Sequence, residues 1–184
     1  MYEIIAQGIG ILGMVMNILS YQAKKQKNII VIQFFGCLFF AINFFMLEAF
    51  TGAILNAIGV IRAVIYINKD KIKFMKLVNY FFIIIYVLSY FATFLVFKKE
   101  ITVLNLIIEV LPVIAMIAST IAFAMNSAKS VRRFAFISSP SWLVYNCVNL
   151  AVGAIVCEIF TLISVILAVI RLDIKGGKNE KSNS

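Results

Sequence analysis

Long apolar runs alternate with short polar connections along the whole chain. Seven such runs are found, near 4–21, 29–47, 50–67, 77–97, 101–125, 134–151 and 154–172, each bounded by charged or turn residues. A helix needs about 20 apolar residues to cross the hydrocarbon core of a bilayer. The pattern therefore predicts an all-α integral membrane protein of seven transmembrane helices, with no room for a separate soluble domain.

The composition supports this prediction. Hydrophobic residues make up 63% of the 184 positions, and the mean hydropathy is +1.03, whereas roughly half of the residues of a soluble domain are apolar. The net charge of +9 is typical of nucleic-acid-binding proteins, but the 17 Lys and Arg residues lie mostly in short clusters between the apolar runs. We therefore expect the lipid bilayer, and no nucleic acid, as the partner of these charges.

The basic clusters also predict the orientation in the membrane. They fall in alternate connections, at 24–27, 69–76 and 129–133, and again in the polar C-terminal end. Because basic connections tend to stay in the cytoplasm, the N-terminus is predicted outside and the C-terminus inside. The polar residues 174–184 are predicted to form a disordered cytoplasmic tail.

An internal repeat appears at an offset of 103 residues. The segment 39–47 resembles 142–150, and the turns Gly52-Ala53-Ile54 and Gly153-Ala154-Ile155 follow at nearly the same place. Duplicated halves are common in membrane transporters. We predict a 3+1+3 arrangement of two parallel triple-helix bundles, 1–76 and 101–173, joined by a linker helix in 77–100.

Two asparagines occupy equivalent places in this repeat. Asn43 and Asn146 lie on polar stripes of their helices, and Trp142 lies one turn inward from Asn146, with Asn149 on the same face. Two amides facing one cavity could hydrogen-bond a polar solute, with the ring as a wall. Each amide could equally bond a neighbouring helix and serve only in packing. Asn56 projects from a stripe of small residues on the third helix and has the same two interpretations.

Two acidic residues fall inside predicted spans. Glu109 lies three residues before Pro112 and is a candidate proton or hinge group, or a harmless partner of backbone groups freed by the proline. Glu158 lies about one turn inside the seventh helix and could be an outer-vestibule group, a proton site or an interfacial acid. The hydroxyls around Pro140 could satisfy freed carbonyls or line a gate. Arg62, near a cytoplasmic helix end, is expected to extend to the interface.

No residues predict catalysis or a metal site. The chain has no His, and its three Cys residues show neither metal-ligand spacing nor a C-x-x-C pair. Phosphate-binding loops and hydrolase or metalloprotease motifs are also missing from the sequence. We therefore expect a protein without enzymatic activity, metal ion or other cofactor.

Three segments resemble a known family. These are 20–28 (SYQAKKQKN), 39–43 (FFAIN) and 52–62 (GAILNAIGVIR), and they resemble the bacterial inner-membrane family called YgjV. The resemblance covers nearly the whole chain and implies a location in the bacterial inner membrane. The predicted 3+1+3 pattern is in turn similar to that of the SWEET and PQ-loop sugar transporters and the PnuC vitamin transporters.

Individual residues follow this second resemblance. Gln22 stands where the PQ-loop family has its Pro-Gln hinge, without the preceding proline, so the resemblance implies a gating position. Trp142 and Tyr145 resemble the W-x-x-Y segment of SWEETs, and Asn56 resembles the substrate-facing Asn of their third helix. In the seventh helix, Glu158 and its neighbour Cys157 stand in place of the SWEET asparagine.

Two functions are compatible with these observations. The first is a SWEET-like transporter or facilitator for a small polar solute, sugar- or nucleoside-like, that crosses through a midplane cavity between two three-helix halves. The second is a membrane scaffold or accessory subunit that transports nothing, in which the polar faces only hold helices together. Seven spans are sufficient for a pathway and equally compatible with a dimer.

Overall fold

A computed structural model describes residues 2–46, 50–96, 98–148 and 152–175. Within these ranges the chain is helical and contains no strand, which confirms the all-α prediction. The helices are α1 (Tyr2–Ser20), α2 (Gln26–Met46), α3 (Phe50–Ile67), α4 (Met75–Leu95), α5 (Val103–Ile108), α6 (Val110–Ala124), α7 (Ala128–Val148) and α8 (Val152–Ala168). A 3-10 turn (Lys69–Lys71) follows α3, and a π-helical segment (Val169–Lys175) continues α8.

Several of these helices have the length and apolar character of membrane spans. Since α5 and α6 form one helix interrupted at Glu109, the described part of the chain has seven helices, as predicted. Four are long and apolar enough to cross a membrane: α2, α4, α5 with α6, and α8 with its π-helical continuation. The apolar stretches of α1 and α3 are shorter, and α7 is long but more polar. The membrane character is therefore confirmed, and seven crossings remain a prediction.

The helix bounds agree with the predicted ranges to within a few residues, except at the start of α7. This helix was predicted from 134 and begins at Ala128, so the prediction that Lys129, Arg132 and Arg133 lie in a connection is wrong. The same prediction is wrong for Lys27, which lies in the first turn of α2, and for Lys76, which lies in the first turn of α4. The backbone can form helical hydrogen bonds here whatever the charge of the side chains. The charge of Arg132 is neutralised by Asp173 of the π-helical segment.

The first compact unit comprises residues 1–73. In it, α2 packs against both α1 and α3. The α1 and α2 backbones approach closely where Gly13 meets Gly36. A Cβ atom built at Gly13 would lie only 3.3 Å from the Gly36 carbonyl oxygen. At the end of α1, the Gln33 amide donates to the Ser20 hydroxyl at 3.0 Å. Small residues therefore allow the close approach, and a polar contact ties the helix end.

The second compact unit comprises residues 74–184. Here α7 packs against both α6 and α8. It is therefore the central helix of this unit, as α2 is of the first. The helix predicted as a linker, α4, packs against α6 and belongs to this unit. Ile174 and Lys175 of the predicted tail continue the π-helical segment, and 176–184 lie outside the described residues.

Candidate functional site

Buried polar side chains are concentrated in the second unit. Among the described residues, three of the thirteen buried polar or charged side chains belong to the first unit and ten to the second. The ten are Thr93, Glu109, Thr120, Ser130, Arg132, Ser138, Ser139, Asn146, Thr161 and Ser164. Because polar groups are costly at membrane depth, each of them needs a partner or a functional reason.

Asn43 makes a packing contact inside the first unit. Its side-chain amide donates to the backbone oxygen of Ala6 at 2.7 Å, which ties α2 to α1. A Cβ atom built at Gly10 would lie 3.0 Å from the Asn43 nitrogen, so the amide fills the space that this glycine leaves. This contact is the one that the packing alternative requires.

The other predicted solute-binding asparagines are distributed over both units. Asn56 lies on α3 in the first unit and is half-buried, with an interaction of its own. Asn146 is buried on α7 in the second unit, and Asn149 lies outside the described residues. Of the three described asparagines, Asn43 and Asn56 therefore belong to the first unit and Asn146 to the second. A site shared by Asn43 and Asn146 remains a prediction.

The two aromatic candidates form one surface of α7. The Trp142 and Tyr145 rings meet edge to face, with centroids 5.8 Å apart and planes at 83°. Both side chains are half-buried, and Glu109 is close enough to Tyr145 to interact with it electrostatically. Tyr145, on the helix that carries the polar stripe, thus lies near the break between α5 and α6.

Glu109 occupies that break and has a cationic partner. Its carboxylate pairs with the Lys99 ammonium, and the exposed fractions of the two side chains are 5% and 29%. Pro112 lies in the first turn of α6, where its missing N–H requires no helical acceptor. The structure therefore pairs Glu109 with a side chain and not with backbone groups freed by the proline, and its role as a proton or hinge group remains a prediction.

The serines around Pro140 differ in how far they are buried. Ser138 and Ser139 are buried, whereas Ser141 is half-exposed and donates to the Ile137 carbonyl at 2.8 Å. The carbonyl that Pro140 leaves without a helical donor belongs to Phe136, four residues before the proline. The Ser141 hydroxyl bonds Ile137 and therefore does not satisfy that carbonyl. Pro140 lies inside α7, as predicted.

Glu158 on α8 faces the serines of α7. The Ser139 side chain lies within hydrogen-bonding reach of its carboxylate. The second oxygen, Oε2, is buried and finds no hydrogen-bond partner among the described residues. Thr161, one turn further along the same face of α8, is fully buried, and its hydroxyl lies within hydrogen-bonding reach of the Cys157 thiol. We define Glu158, Ser139 and Thr161 as the α7–α8 cluster.

A buried ion pair was missed by sequence reasoning. Arg132 donates from Nε to Asp173 Oδ2 at 3.0 Å and from Nη2 to Oδ1 at 2.5 Å. Only 4% and 6% of these side chains are exposed. The pair joins the start of α7 to the π-helical segment. The sequence did contain a signal for this pair. Asp173 directly follows the last apolar run, on the same predicted side of the membrane as the basic cluster 129–133.

Two further candidates lie in the first unit. Arg62, expected to extend to the interface, is instead buried with 5% of its surface exposed, so that expectation is wrong; close packing of α2 and α3 encloses it beside Cys37. Gln22 lies in the turn after α1, where its backbone N–H donates to the Leu19 carbonyl at 3.1 Å. Its predicted gating role remains untested.

Comparison with known proteins leads to a family and to no named relative. No curated protein matches the chain, and no solved structure matches it. The family model Imp-YgjV, described as "Bacterial inner membrane protein", matches residues 4–175. Together with the apolar helices, this match shows that the chain is a multi-pass inner-membrane protein and belongs to the YgjV family.

Proposed function

We propose that this protein is a transporter or facilitator that carries a small polar solute across the inner membrane. The observation that carries the proposal is the nature of α7, a 21-residue helix whose buried face includes Ser138, Ser139 and Asn146. This polar helix packs between the apolar helices α6 and α8. Polar side chains that face the inside of a membrane bundle commonly mark a solute pathway.

The repeat supports the same proposal. Two three-helix halves with parallel orientation, in the 3+1+3 arrangement predicted from sequence, would allow alternating access by movement of one half against the other. The solute would be sugar- or nucleoside-like, because amides, hydroxyls and an aromatic wall suit neutral polar molecules. With Glu109 paired to Lys99, proton coupling through this residue would require that pair to open.

The scaffold alternative has one specific observation in its favour. In the first unit, the Asn43 side chain is used for packing against Ala6. If every intramembrane asparagine had such a role, the buried polar residues would only hold helices together. The two asparagines at equivalent repeat positions therefore provide a direct comparison between transport and packing.

Asn146→Leu is expected to abolish solute flux while the fold is retained. Interhelical polar contacts contribute only about 0.6 kcal/mol on average in membranes, so loss of this amide should cost little stability. The measurement is stopped-flow swelling of proteoliposomes with glucose, ribose, uridine and glycerol, beside a thermal unfolding curve in detergent. The wild type should admit at least one of these solutes faster than protein-free vesicles.

Asn43→Leu is the matched comparison. It should lower the unfolding temperature, because it removes the bond to Ala6 and crowds Gly10. If its flux per folded molecule stays near that of the wild type, Asn43 serves only in packing; if flux is lost as in Asn146→Leu, both asparagines line the pathway. Equal flux in wild-type and protein-free vesicles for all four solutes would favour the scaffold. Unchanged flux in Asn146→Leu would remove α7 from the pathway.

The orientation proposed for the termini is tested by labelling. In a background without the native cysteines, Tyr2→Cys should react with an impermeant maleimide in intact cells, and Lys178→Cys only after the membrane is opened. The basis is the alternate placement of the basic clusters. Labelling of both positions from the same side would contradict seven crossings.

A further inference from the structure

The acidic residues inside the helices of the second unit are not equally neutralised. Three are described there: Glu109, Glu158 and Asp173. Glu109 pairs with Lys99, and Asp173 pairs with Arg132. Among the described residues, Glu158 has no ion pair, and its Oε2 is buried without a hydrogen-bond partner. One carboxyl group in the described part of this unit therefore lacks a charged partner.

No described basic side chain of α7 or of the π-helical segment lies at the depth of Glu158. Of the described elements, α7 packs most extensively on α8, and the π-helical segment continues it. The described basic residues of these two elements are Lys129, Arg132, Arg133, Arg171 and Lys175. At a rise of about 1.5 Å per residue, Arg171 lies about 20 Å along the helix from Glu158, and Arg132 about 10 Å from the level of Ser139. The other titratable groups of α7 and α8 are Tyr145, Cys147 and Cys157, which carry no positive charge. Asp173 of the π-helical segment is paired with Arg132.

The surroundings of Glu158 include two hydroxyl groups and the Cys157 thiol. Ser139 lies within hydrogen-bonding reach of the carboxylate. Thr161 is three residues further along α8, hence on the same face of the helix, and is fully buried. No group of three His, Cys, Asp or Glu side chains that could hold a metal ion occurs in the described ranges. One carboxylate with hydroxyls suits a singly charged hard cation better than a transition metal or a divalent ion.

We propose that the α7–α8 cluster, with Glu158 as its charged member and Ser139 and Thr161 as hydroxyl ligands, binds a monovalent cation of the alkali-ion or ammonium class. A carboxylate alone in a low-dielectric interior is costly, and a bound cation supplies the missing charge. An alkali ion would take the oxygens as ligands, and an ammonium group would donate its N–H bonds to them. This site goes beyond the proposed function, because a protein that transports nothing could also contain it.

Cation-dependent thermal unfolding of the purified full-length protein tests the site. Ionic strength is held constant with choline chloride, which is replaced stepwise by sodium, potassium or methylammonium chloride. We expect at least one of these small cations to raise the unfolding temperature of the wild type, because a ligand of the folded state stabilises it by mass action. The shift should vanish in Glu158→Gln and persist in Glu109→Gln, which removes the same charge from the acid that already has a partner.

The hydroxyl ligands are tested by a second pair of variants. Ser139→Ala should raise the cation concentration needed for half of the shift by about tenfold, the lower limit for loss of a supporting contact at an ion site. Ser141→Ala should leave it unchanged, because that hydroxyl donates to Ile137. A response to sodium or potassium identifies an inorganic ion, and a response to methylammonium alone identifies the ammonium class.

Several outcomes would overturn the site. One is a wild-type protein that no small cation stabilises more than choline does, including the case in which acidification alone stabilises it and the carboxyl is simply protonated. Another is a full shift in Glu158→Gln. If that variant does not fold, identical cation responses of Ser139→Ala and Ser141→Ala would be decisive against the site. None of these results bears on flux of neutral solutes, so the proposed function is tested separately.

Discussion

Asp173→Leu is expected to lower the free energy of unfolding by about 3–5 kcal/mol, because it leaves the buried guanidinium of Arg132 without its anionic partner. Both carboxylate oxygens of Asp173 accept hydrogen bonds from Arg132, and water reaches very little of either side chain. Equilibrium unfolding of the purified protein in mixed micelles measures the effect. Arg132→Met should be destabilising to a similar degree, since it leaves the carboxylate unpaired.

The double variant Arg132→Met/Asp173→Leu separates the pair from its individual members. Replacing both partners by apolar side chains removes both buried charges, so we expect its stability to recover most of the way to that of the wild type. Arg133→Met is the control, because Arg133 is the adjacent exposed residue and should change stability by no more than about 0.5 kcal/mol. A double variant as unstable as the single ones would show that the two residues do not act as a pair.

Gly13→Leu is expected to disrupt the packing of α1 on α2, with a cost of the order of 3 kcal/mol, the upper end of what overpacking usually costs. A Cβ atom at this position would already lie 3.2 Å from the Phe40 ring and 3.3 Å from the Gly36 carbonyl oxygen. The Phe40 ring can turn, but the Gly36 backbone can yield only if the two helices separate. Thermal unfolding and protease sensitivity of the first unit would record the change.

Gly8→Leu is the matched control on the same helix. A Cβ atom at Gly8 would meet nothing within 4 Å, and the position is exposed. Because leucine is a better helix former than glycine, this variant should be as stable as the wild type or slightly more stable. If the two leucine variants lost the same stability, the effect would come from the removal of glycine and not from the close approach of the helices.

Many hydroxyl groups in these helices need no functional explanation. Ser119 donates to the Ala115 carbonyl at 2.9 Å, and Thr120 donates to the Met116 carbonyl at 2.8 Å. Such bonds to the preceding turn satisfy a serine or threonine locally in any apolar surroundings. A single serine or threonine hydroxyl within a span is therefore a weak indication of a site. The α7–α8 cluster differs because one of its oxygens is buried without a hydrogen-bond partner among the described residues.

The positions of the helices could be predicted from sequence because the signal is local. A backbone in hydrocarbon must satisfy its own hydrogen bonds, so each apolar run of sufficient length becomes a helix wherever it lies in the chain. Charges and turn residues then mark the ends. This reasoning predicted α3 at 50–67, where the structure has Phe50–Ile67. It also predicted Pro140 inside a helix, but 101–125 as one helix, without the interruption at Glu109.

The pairing of charges was decided only by the tertiary structure. Arg132 and Asp173 are 41 residues apart, and nothing local to either residue indicates that α7 and the π-helical segment bring them together. Arg62 likewise has a side chain long enough to reach the interface, and only the packing of its neighbours keeps it buried. Hydropathy measures the cost of leaving a charge in the membrane but carries no information about its partner.

The same distinction applies to the asparagines. The sequence by itself determined that Asn43 and Asn146 lie in helices, and it predicts that they occupy equivalent places of a repeat, because both conclusions depend on the order of residues along the chain. Only the tertiary structure decided that the Asn43 amide donates to Ala6 across the α1–α2 contact. An amide at membrane depth must find an acceptor, and the direction in which it finds one depends on which helix packs beside it.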